Sequence, residues 1–256
     1  MKLMNGLSGV AGSNYYSQIS SGTRINTAAD GASEMAIIQK ETAQINGYEA
    51  GRKNAEDGNS LLNVADGAMS GITDSLQRIR ELAIQASNTA IVSDSDREAI
   101  QHEVDQLKQN ISDIANNTEF NTKKLLDGTE KELYIATGAN GEGRNINLGD
   151  STLKALGIED FDVTKDFSVQ TIDDALTKVS SNRSSIGAQS NSLDYTIGYN
   201  MQTSYNLTAA RSQMEDTDIE KTISEMDKER TLQNYRFIMQ KKQAEQEQKK
   251  LTMFYM

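Results

Sequence analysis

Apolar residues recur at alternating intervals of three and four along three stretches of the chain, which is the spacing of helices with one apolar seam. The stretches lie within residues 62–83, 100–114 and 172–214. Seams of this length must be buried against other helices, so the pattern favours a rod over a pocket. The predicted bundle seam comprises Leu62, Met69, Ile72, Leu76, Ile79, Ile100, Val104, Leu107, Ile111, Ile186, Leu193, Ile197 and Leu207.

The same periodicity predicts where the helices begin and end. One helix is expected over about residues 33–88, a second over about 95–116, and a third from Thr171 onward with a break near residues 215–218. Residues 149–170 show no period and are expected to be irregular. Glycines inside the first helix predict either close approach of a neighbouring helix or a less stable helix; they are Gly47, Gly51, Gly58, Gly67 and Gly71.

Two short segments in the middle of the chain alternate as β-strands do. They are Leu133–Thr137 and Arg144–Leu148, and the glycine-rich residues 138–143 join them as a turn. A chain that runs out as helix, turns through a hairpin and returns as helix brings its ends together. The predicted fold is therefore mainly α, a long antiparallel helical bundle or coiled coil built from both chain ends, with a small central β-hairpin region.

This fold predicts three parts of the chain. Residues 1–30 form an N-terminal arm, residues 31–214 form the helical bundle, and residues 215–256 form a C-terminal arm. The β-hairpin insert occupies about residues 118–150 of the bundle. The arms have little to pack on, which makes them the natural place for self-association.

Polar residues interrupt the third seam. Such groups can fix the register of helices or meet another subunit, and a loosely packed surface helix is the alternative. The interrupting residues are Arg183, Ser190, Asn200, Ser204 and Arg211.

Composition excludes several classes of function. The 256 residues include no Cys, Pro or Trp, which rules out disulfides, thiolate chemistry and Cys-based zinc sites. The net charge of −11 argues against nucleic acid as a partner, because phosphate neutralisation needs a basic surface. Neither a membrane-spanning stretch nor an apolar secretory signal core is expected, so the protein is predicted to be cytoplasmic or exported without a cleaved signal peptide.

The candidate catalytic and metal-binding residues have simpler interpretations. The single histidine, His102, lies four residues after Glu98, which is not the Glu-x-x-His spacing of carboxylate metal bundles. The pairs Asp94/Asp96 and Asp216/Asp218 fall at predicted helix boundaries, where carboxylates cap free N–H groups. We therefore expect neither an enzyme nor a bound cofactor or metal.

Four segments go beyond generic pattern and resemble bacterial flagellins. The segment 20–30 resembles the loop after their first helix, and LQRIRELAIQASN at residues 76–88 resembles their most recognisable helical motif. Residues 118–126 are similar to the segment that leads into their hairpin. NLTAARSQMEDTD at residues 206–218 resembles the junction between their bundle and their terminal helix.

The resemblance implies a structural subunit that self-assembles into the extracellular flagellar filament for motility, with the paired arms forming an inner tube. Only about 55 residues separate the helical halves, so the chain resembles a minimal form without outer variable domains. Implied partners are further copies of the chain, a flagellar export chaperone, and hook-junction and cap proteins. Alternatives are a hook–filament junction protein and a receptor or adhesion ligand that does not polymerise.

Three residues carry a further implication of the resemblance. By resemblance, Arg78, Leu82 and Glu103 contribute to recognition by the vertebrate innate-immune flagellin receptor, on a surface that also lies between neighbouring subunits. The alternative is that Leu82 packs locally while Arg78 and Glu103 are solvated helix charges.

Overall fold

The computed structural model describes residues 14–130 and 132–254. Residues 1–13 of the predicted N-terminal arm and residues 255–256 of the predicted C-terminal arm lie outside the described residues. The helices in chain order are α1 (residues 14–21), α2 (Ala32–Ala86), α3 (Asp94–Asn117), α4 (Leu153–Leu156), α5 (Val169–Glu215) and α6 (Ile219–Phe254). The strands are β1 (Glu119–Phe120), β2 (Lys123–Lys124), β3 (Glu132–Ala136) and β4 (Gly143–Asn147).

The predicted mainly α fold is confirmed, and the helix boundaries lie within two residues of those expected. Helix α5 begins two residues before Thr171, and the break between Glu215 and Ile219 falls where the seam was expected to stop. Helix α3 begins after the N-cap Ser93, whose hydroxyl accepts from the backbone N–H of Asp96 while the Asp96 carboxylate accepts from the backbone N–H of Ser93. This reciprocal capping box satisfies two N–H groups that an uncapped helix start leaves unpaired.

The described chain divides into two compact units. The central unit covers residues 44–204, and the terminal unit contains the described residues up to Ala43 together with those from Tyr205 onward. The core of the central unit is one continuous cluster of buried apolar side chains from α2, α3, α5, the β-strands and the segment that follows them.

The expectation that residues 149–170 are irregular is corrected by helix α4 and by the segment after it. Leu156, Ile158 and Val163 are buried in the core cluster. Helix α4 has only four residues, between the N-cap Thr152 and a left-handed Gly157 with φ of 82°. One turn of helix contains too few residues to display a helical period, which is why the sequence pattern did not reveal it.

Hydrogen bonds connect this segment to the long helices. The Lys178 ammonium on α5 donates to the carbonyl oxygens of Ala155 and Leu156 at 2.9 and 3.2 Å. On the α3 side, Lys108 Nζ donates to the carbonyl of Phe161 at 3.0 Å. The segment thus closes the core between α3 and α5.

The middle of the chain contains two antiparallel hairpins, of which one was expected. Strands β3 and β4 pair with Leu133 opposite Ile146, and each strand begins one residue earlier than predicted. Leu133 and Ile146 are both buried, which turns one face of this hairpin toward the core. The shorter β1–β2 hairpin turns through Asn121 and Thr122, which both have positive φ.

Close backbone approach explains two of the glycines in α2. A Cβ atom at Gly51 would lie 2.2 Å from the carbonyl oxygen of Thr137, and one at Gly47 would lie 2.4 Å from that of Ala139. Both carbonyls belong to the end of the β3–β4 hairpin. The predicted close approach is therefore real at these positions, but the neighbour is the hairpin and not a helix.

Candidate assembly and recognition surfaces

Helices α2 and α3 bring the predicted recognition residues Arg78 and Glu103 together. Arg78 Nε donates to Glu103 Oε1 at 2.8 Å, and a second guanidinium nitrogen donates to Glu81 on the same helix at 3.0 Å. These hydrogen bonds raise the pKa of Arg78 above its ordinary value, and the bond with Glu103 has the largest effect. The side chains of Arg78 and Glu103 are 49% and 46% exposed, so the pair is an accessible surface feature.

Leu82 lies one turn after Arg78 but is only 2% exposed and belongs to the core cluster. In the folded chain it therefore belongs to the core and not to the exposed surface that carries Arg78 and Glu103. Any contribution of Leu82 to recognition is therefore expected to come from holding α2 in place.

Most of the predicted bundle seam lies inside the central unit. Leu107 and Ile197 are partly buried and pack against the core cluster, while Leu207 is half-buried in the terminal unit. The remaining seam residues are buried: Leu62, Met69, Ile72, Leu76, Ile79, Ile100, Val104, Ile111, Ile186 and Leu193.

The polar residues that interrupt the α5 seam have partners on α2 or on the hairpin. Arg183 donates two hydrogen bonds to Asp66, at 2.8 and 3.2 Å. Ser190 donates to Asn59 at 3.1 Å. These contacts favour a role in fixing the register of α5 on α2, because each bond forms at one helix offset only.

Nearer the hairpin turn, the seam of the central unit is polar and buried. Asn200 is buried, and its amide donates to the carbonyl of Thr137 at 2.7 Å. Ser204 donates to Glu49 at 3.1 Å. In the terminal unit, Arg211 donates to the Thr42 hydroxyl on α2 at 3.4 Å and also forms an ion pair with Glu215 at 3.3 Å.

Two of the flagellin-like segments meet in the terminal unit. Thr23 and Asp216 form an antiparallel bridge. The backbone N–H of Arg24 donates to the carbonyl of Glu215 at 2.6 Å, and that of Thr217 donates to the carbonyl of Gly22 at 3.0 Å. We call these contacts between residues 22–24 and 214–217 the loop–junction clasp. The clasp joins the loop before α2 to the break between α5 and α6.

Asp30 organises the same loop. Its carboxylate accepts from the Asn14 amide at 2.9 Å, from the backbone N–H of Thr27 at 2.8 Å, and from the Thr27 hydroxyl at 2.9 Å. These hydrogen bonds lower the pKa of Asp30 to about 2, and the bond from Asn14 has the largest effect. Charge at Asp30 therefore stabilises the loop conformation at neutral pH.

The hydrophobic pattern did not single out an exposed tyrosine cluster of the central unit. Tyr48 and Tyr199 make an edge-to-face contact with ring centroids 6.3 Å apart, and Tyr195 is 82% exposed. The three tyrosines border a groove of about 530 Å³ beside the β3–β4 turn. Arg144 also lines this groove. Exposed aromatic side chains at helical spacing are a signal that a search of surface positions could have found.

Two of the four acidic residues at helix boundaries, Asp96 and Asp218, accept from backbone N–H groups as caps, whereas Asp216 accepts from the Ser212 hydroxyl. Hydrogen bonds from Ser93 lower the pKa of Asp96, and Asp218 accepts from the backbone N–H of Lys221 at 3.0 Å at the start of α6. Within residues 14–130 and 132–254, no group of three or more His, Cys, Asp or Glu side chains is placed to hold a metal ion. None of the helices in this part of the chain is long and apolar enough to cross a membrane.

Comparison with known proteins identifies relatives along most of the chain. A flagellin of Bacillus subtilis is 38% identical over 253 residues, which cover 84% of this chain and 83% of the relative. A flagellin of Halalkalibacterium halodurans is 40% identical over 215 residues, which cover 81% and 79%. The crystal structure of Bacillus cereus flagellin matches with a TM-score of 0.51 and 30% identity, over 58% of this chain and 88% of that one.

Family profiles match both helical parts of the chain. The bacterial flagellin N-terminal helical region matches residues 8–131, and the bacterial flagellin C-terminal helical region matches residues 169–254. Together, the two matched ranges include both sides of the loop–junction clasp and every residue of the predicted bundle seam. The chain therefore belongs to the bacterial flagellin family.

Proposed function

We propose that this protein is a structural subunit of the bacterial flagellar filament and acts by polymerising with further copies of itself. The observation that carries the proposal is the match of flagellin sequences to both helical halves of one antiparallel fold. The sequence identity between this chain and flagellins favours a filament subunit over a junction protein or a ligand that does not polymerise. No catalytic role is part of the proposal.

The proposed mechanism assigns one role to each of the three predicted parts. Residues 31–214 fold as the bundle, and the arms at residues 1–30 and 215–256 dock on neighbouring copies. Interfacial burial supplies the free energy for that docking. The contacts between copies are heterologous and do not close, because such contacts generate an open helical polymer.

Elongation of filament seeds tests this function. Purified full-length protein is mixed with short sonicated filaments and viewed by negative-stain electron microscopy, and we expect long tubular filaments. A variant that lacks residues 219–256 is expected to keep its helical circular dichroism and to stop elongating. A full-length protein that stays monomeric with every seed would contradict the proposed function.

We further propose an extracellular location reached without a cleaved signal peptide, with an export chaperone, hook-junction proteins and cap proteins as partners.

The innate-immune flagellin receptor is a proposed partner of the surface around Arg78 and Glu103, and their exposure supports this assignment. Arg78→Ala is expected to weaken receptor signalling in reporter cells. Arg80→Ala is the matched control, since Arg80 lies on the same helix and pairs instead with Asp173 at 2.6 Å. Equal signalling by the Arg78 variant and the unmodified protein would contradict the receptor assignment.

A further inference from the structure

Helix α6 is a long helix with almost nothing buried. Among the α6 side chains that the structure describes, one is buried, that of Thr222 at 7% exposure. A helix of 36 residues spans roughly 54 Å. Helices in water gain most of their stability from packing an apolar face, so α6 needs a partner surface along most of its length.

The chemistry of that partner changes along α6. Exposed apolar side chains extend from Ile219 to Met239. Residues 240–250, QKKQAEQEQKK, contain Ala244 as their one apolar side chain, together with four lysines and two glutamates. An apolar groove would leave these charges desolvated, so the surface that meets this segment must be polar. We call residues 240–250 the basic segment.

The basic segment stands out against the rest of an acidic chain. It has a net charge of +2, from four lysines less two glutamates, while the whole chain has a net charge of −11. The first part of α6, residues 219–229, has four acidic and two basic residues and a net charge of −2. Within one helix, therefore, an acidic beginning precedes a basic end.

The helix dipole accounts for only part of this asymmetry. The dipole favours acidic groups in the first turn and basic groups in the last, and it falls off within one turn of each end. Asp227 lies more than one turn inside the helix start, and Lys241 lies more than three turns before its end. Both are exposed, so they are available to a neighbouring molecule.

We propose that the basic segment docks on the acidic residues 219–229 of α6 in a second copy of the chain. The inference rests on the proposed filament function and names the partner surface for one end of α6. Opposite charges at the two ends of one helix make head-to-tail association self-complementary, and such heterologous contacts extend without closing. Charge complementarity acts chiefly on the association rate, so elongation is the property that it controls.

Charge reversal at each end, followed by the exchange of both, tests the proposal. Lys241→Glu with Lys242→Glu is expected to lower the steady elongation rate on wild-type seeds about tenfold at low salt. Glu225→Lys with Asp227→Lys is expected to do the same. A chain that combines all four substitutions is mismatched with the wild-type seed but complementary to further copies of itself. Its elongation rate is therefore expected to recover once the first layer has been added.

Two controls separate this contact from other effects. Lys40→Glu with Lys53→Glu makes the same change of net charge at exposed lysines of α2 and is expected to leave the rate near that of wild type. Wild-type elongation is expected to slow as salt rises from about 0.01 M to about 1 M, where the Debye length shortens from about 30 Å to about 3 Å.

The outcomes distinguish the inference from the filament function itself. Elongation of the Lys241→Glu, Lys242→Glu variant at the wild-type rate would overturn the proposed docking while filament formation stands. A four-substitution chain no faster than the double variants would do the same. If wild-type protein does not elongate seeds, both the docking and the filament function fail.

Discussion

Two parts of α2 hold their neighbours in different ways. Between residues 62 and 86, α2 buries a nearly continuous apolar face that includes Met69, Ile72 and Ile79. Between residues 44 and 60, it presents glycines to the β3–β4 hairpin and polar side chains to α5. We call these the apolar part and the polar part of α2. The apolar part is stabilised by burial, which is proportional to area and tolerates small shifts, whereas the polar part depends on fixed distances.

The difference teaches how one long helix can combine stability with a defined register. Apolar seams can slide by a heptad at modest cost, since their side chains resemble one another. A hydrogen bond from Ser190 to Asn59, or from Ser204 to Glu49, forms at one offset only. Burial along one part of α2 thus stabilises the bundle, and the polar contacts decide how its elements are aligned.

The largest predicted effect follows from a cavity in the apolar part. Leu76 is fully buried, and Leu76→Ala is expected to lower the free energy of unfolding by about 3 kcal/mol, measured by urea denaturation. Val64→Ala is the matched control, because Val64 is 41% exposed on the same helix and is expected to change stability by about 0.5 kcal/mol or less. Similar losses for both variants would show that α2 is not packed as described.

A pair of glycine substitutions isolates the polar part. Gly51→Ala is expected to destabilise by about 2 kcal/mol, because the new Cβ would lie 2.2 Å from the Thr137 carbonyl and must displace the hairpin. At Gly67 a Cβ meets no described atom within 4 Å, so Gly67→Ala is expected to stabilise α2 by about 1 kcal/mol. Thermal unfolding of the two variants gives the sign of each change. The same sign for both would contradict the close approach of the hairpin.

An unpaired hydroxyl inside the apolar core gives a smaller effect of opposite sign. Ser151 is fully buried, and its Oγ has no hydrogen-bond partner among the described residues. Ser151→Ala is expected to raise the free energy of unfolding by about 1 kcal/mol, since it removes the cost of a desolvated hydroxyl. Thr152→Ala is a contrasting control, because its hydroxyl caps α4 and its loss is expected to destabilise. A destabilised Ser151 variant would indicate that its hydroxyl is hydrogen-bonded.

The most local effect concerns the loop beside the clasp, where polar contacts act without an apolar seam. The pKa of Asp30 is lowered from 3.8 to about 2, so the stability that its charge contributes is present above about pH 4 and is lost as pH falls through about 2. Asp30→Asn is expected to weaken protection of the Thr27 amide at pH 5 by about 1 kcal/mol, measured by hydrogen exchange. At pH 1, below the folded-state pKa of Asp30, the variant and the wild type are expected to agree. A difference that persists at pH 1 would argue against this role of the carboxylate charge.

Sequence reasoning succeeded where a period could be read. The long helices, the break after Glu215 and the β3–β4 hairpin were all expected, because each contains enough residues to display its spacing. It failed at α4 and at Ile158 and Val163, where core residues lie in a segment without regular period. The resemblance to flagellins marked Arg78 and Glu103, but no pattern could show that their side chains would meet.

The sequence by itself determined the helical architecture, the absence of cysteine chemistry and the membership of the flagellin family, since composition, period and motif are properties of the chain order. Tertiary structure decided which glycines the hairpin approaches, and which polar seam residues are paired with Asp66, Asn59 and Glu49. It also decided that Leu82 is buried while Arg78 and Glu103 are exposed. The physical reason is that periodicity reports which face of an element is apolar. Contact distances and hydrogen bonds depend on how separate elements pack together. The two residues of each such contact lie too far apart in sequence for a local pattern to predict that they meet.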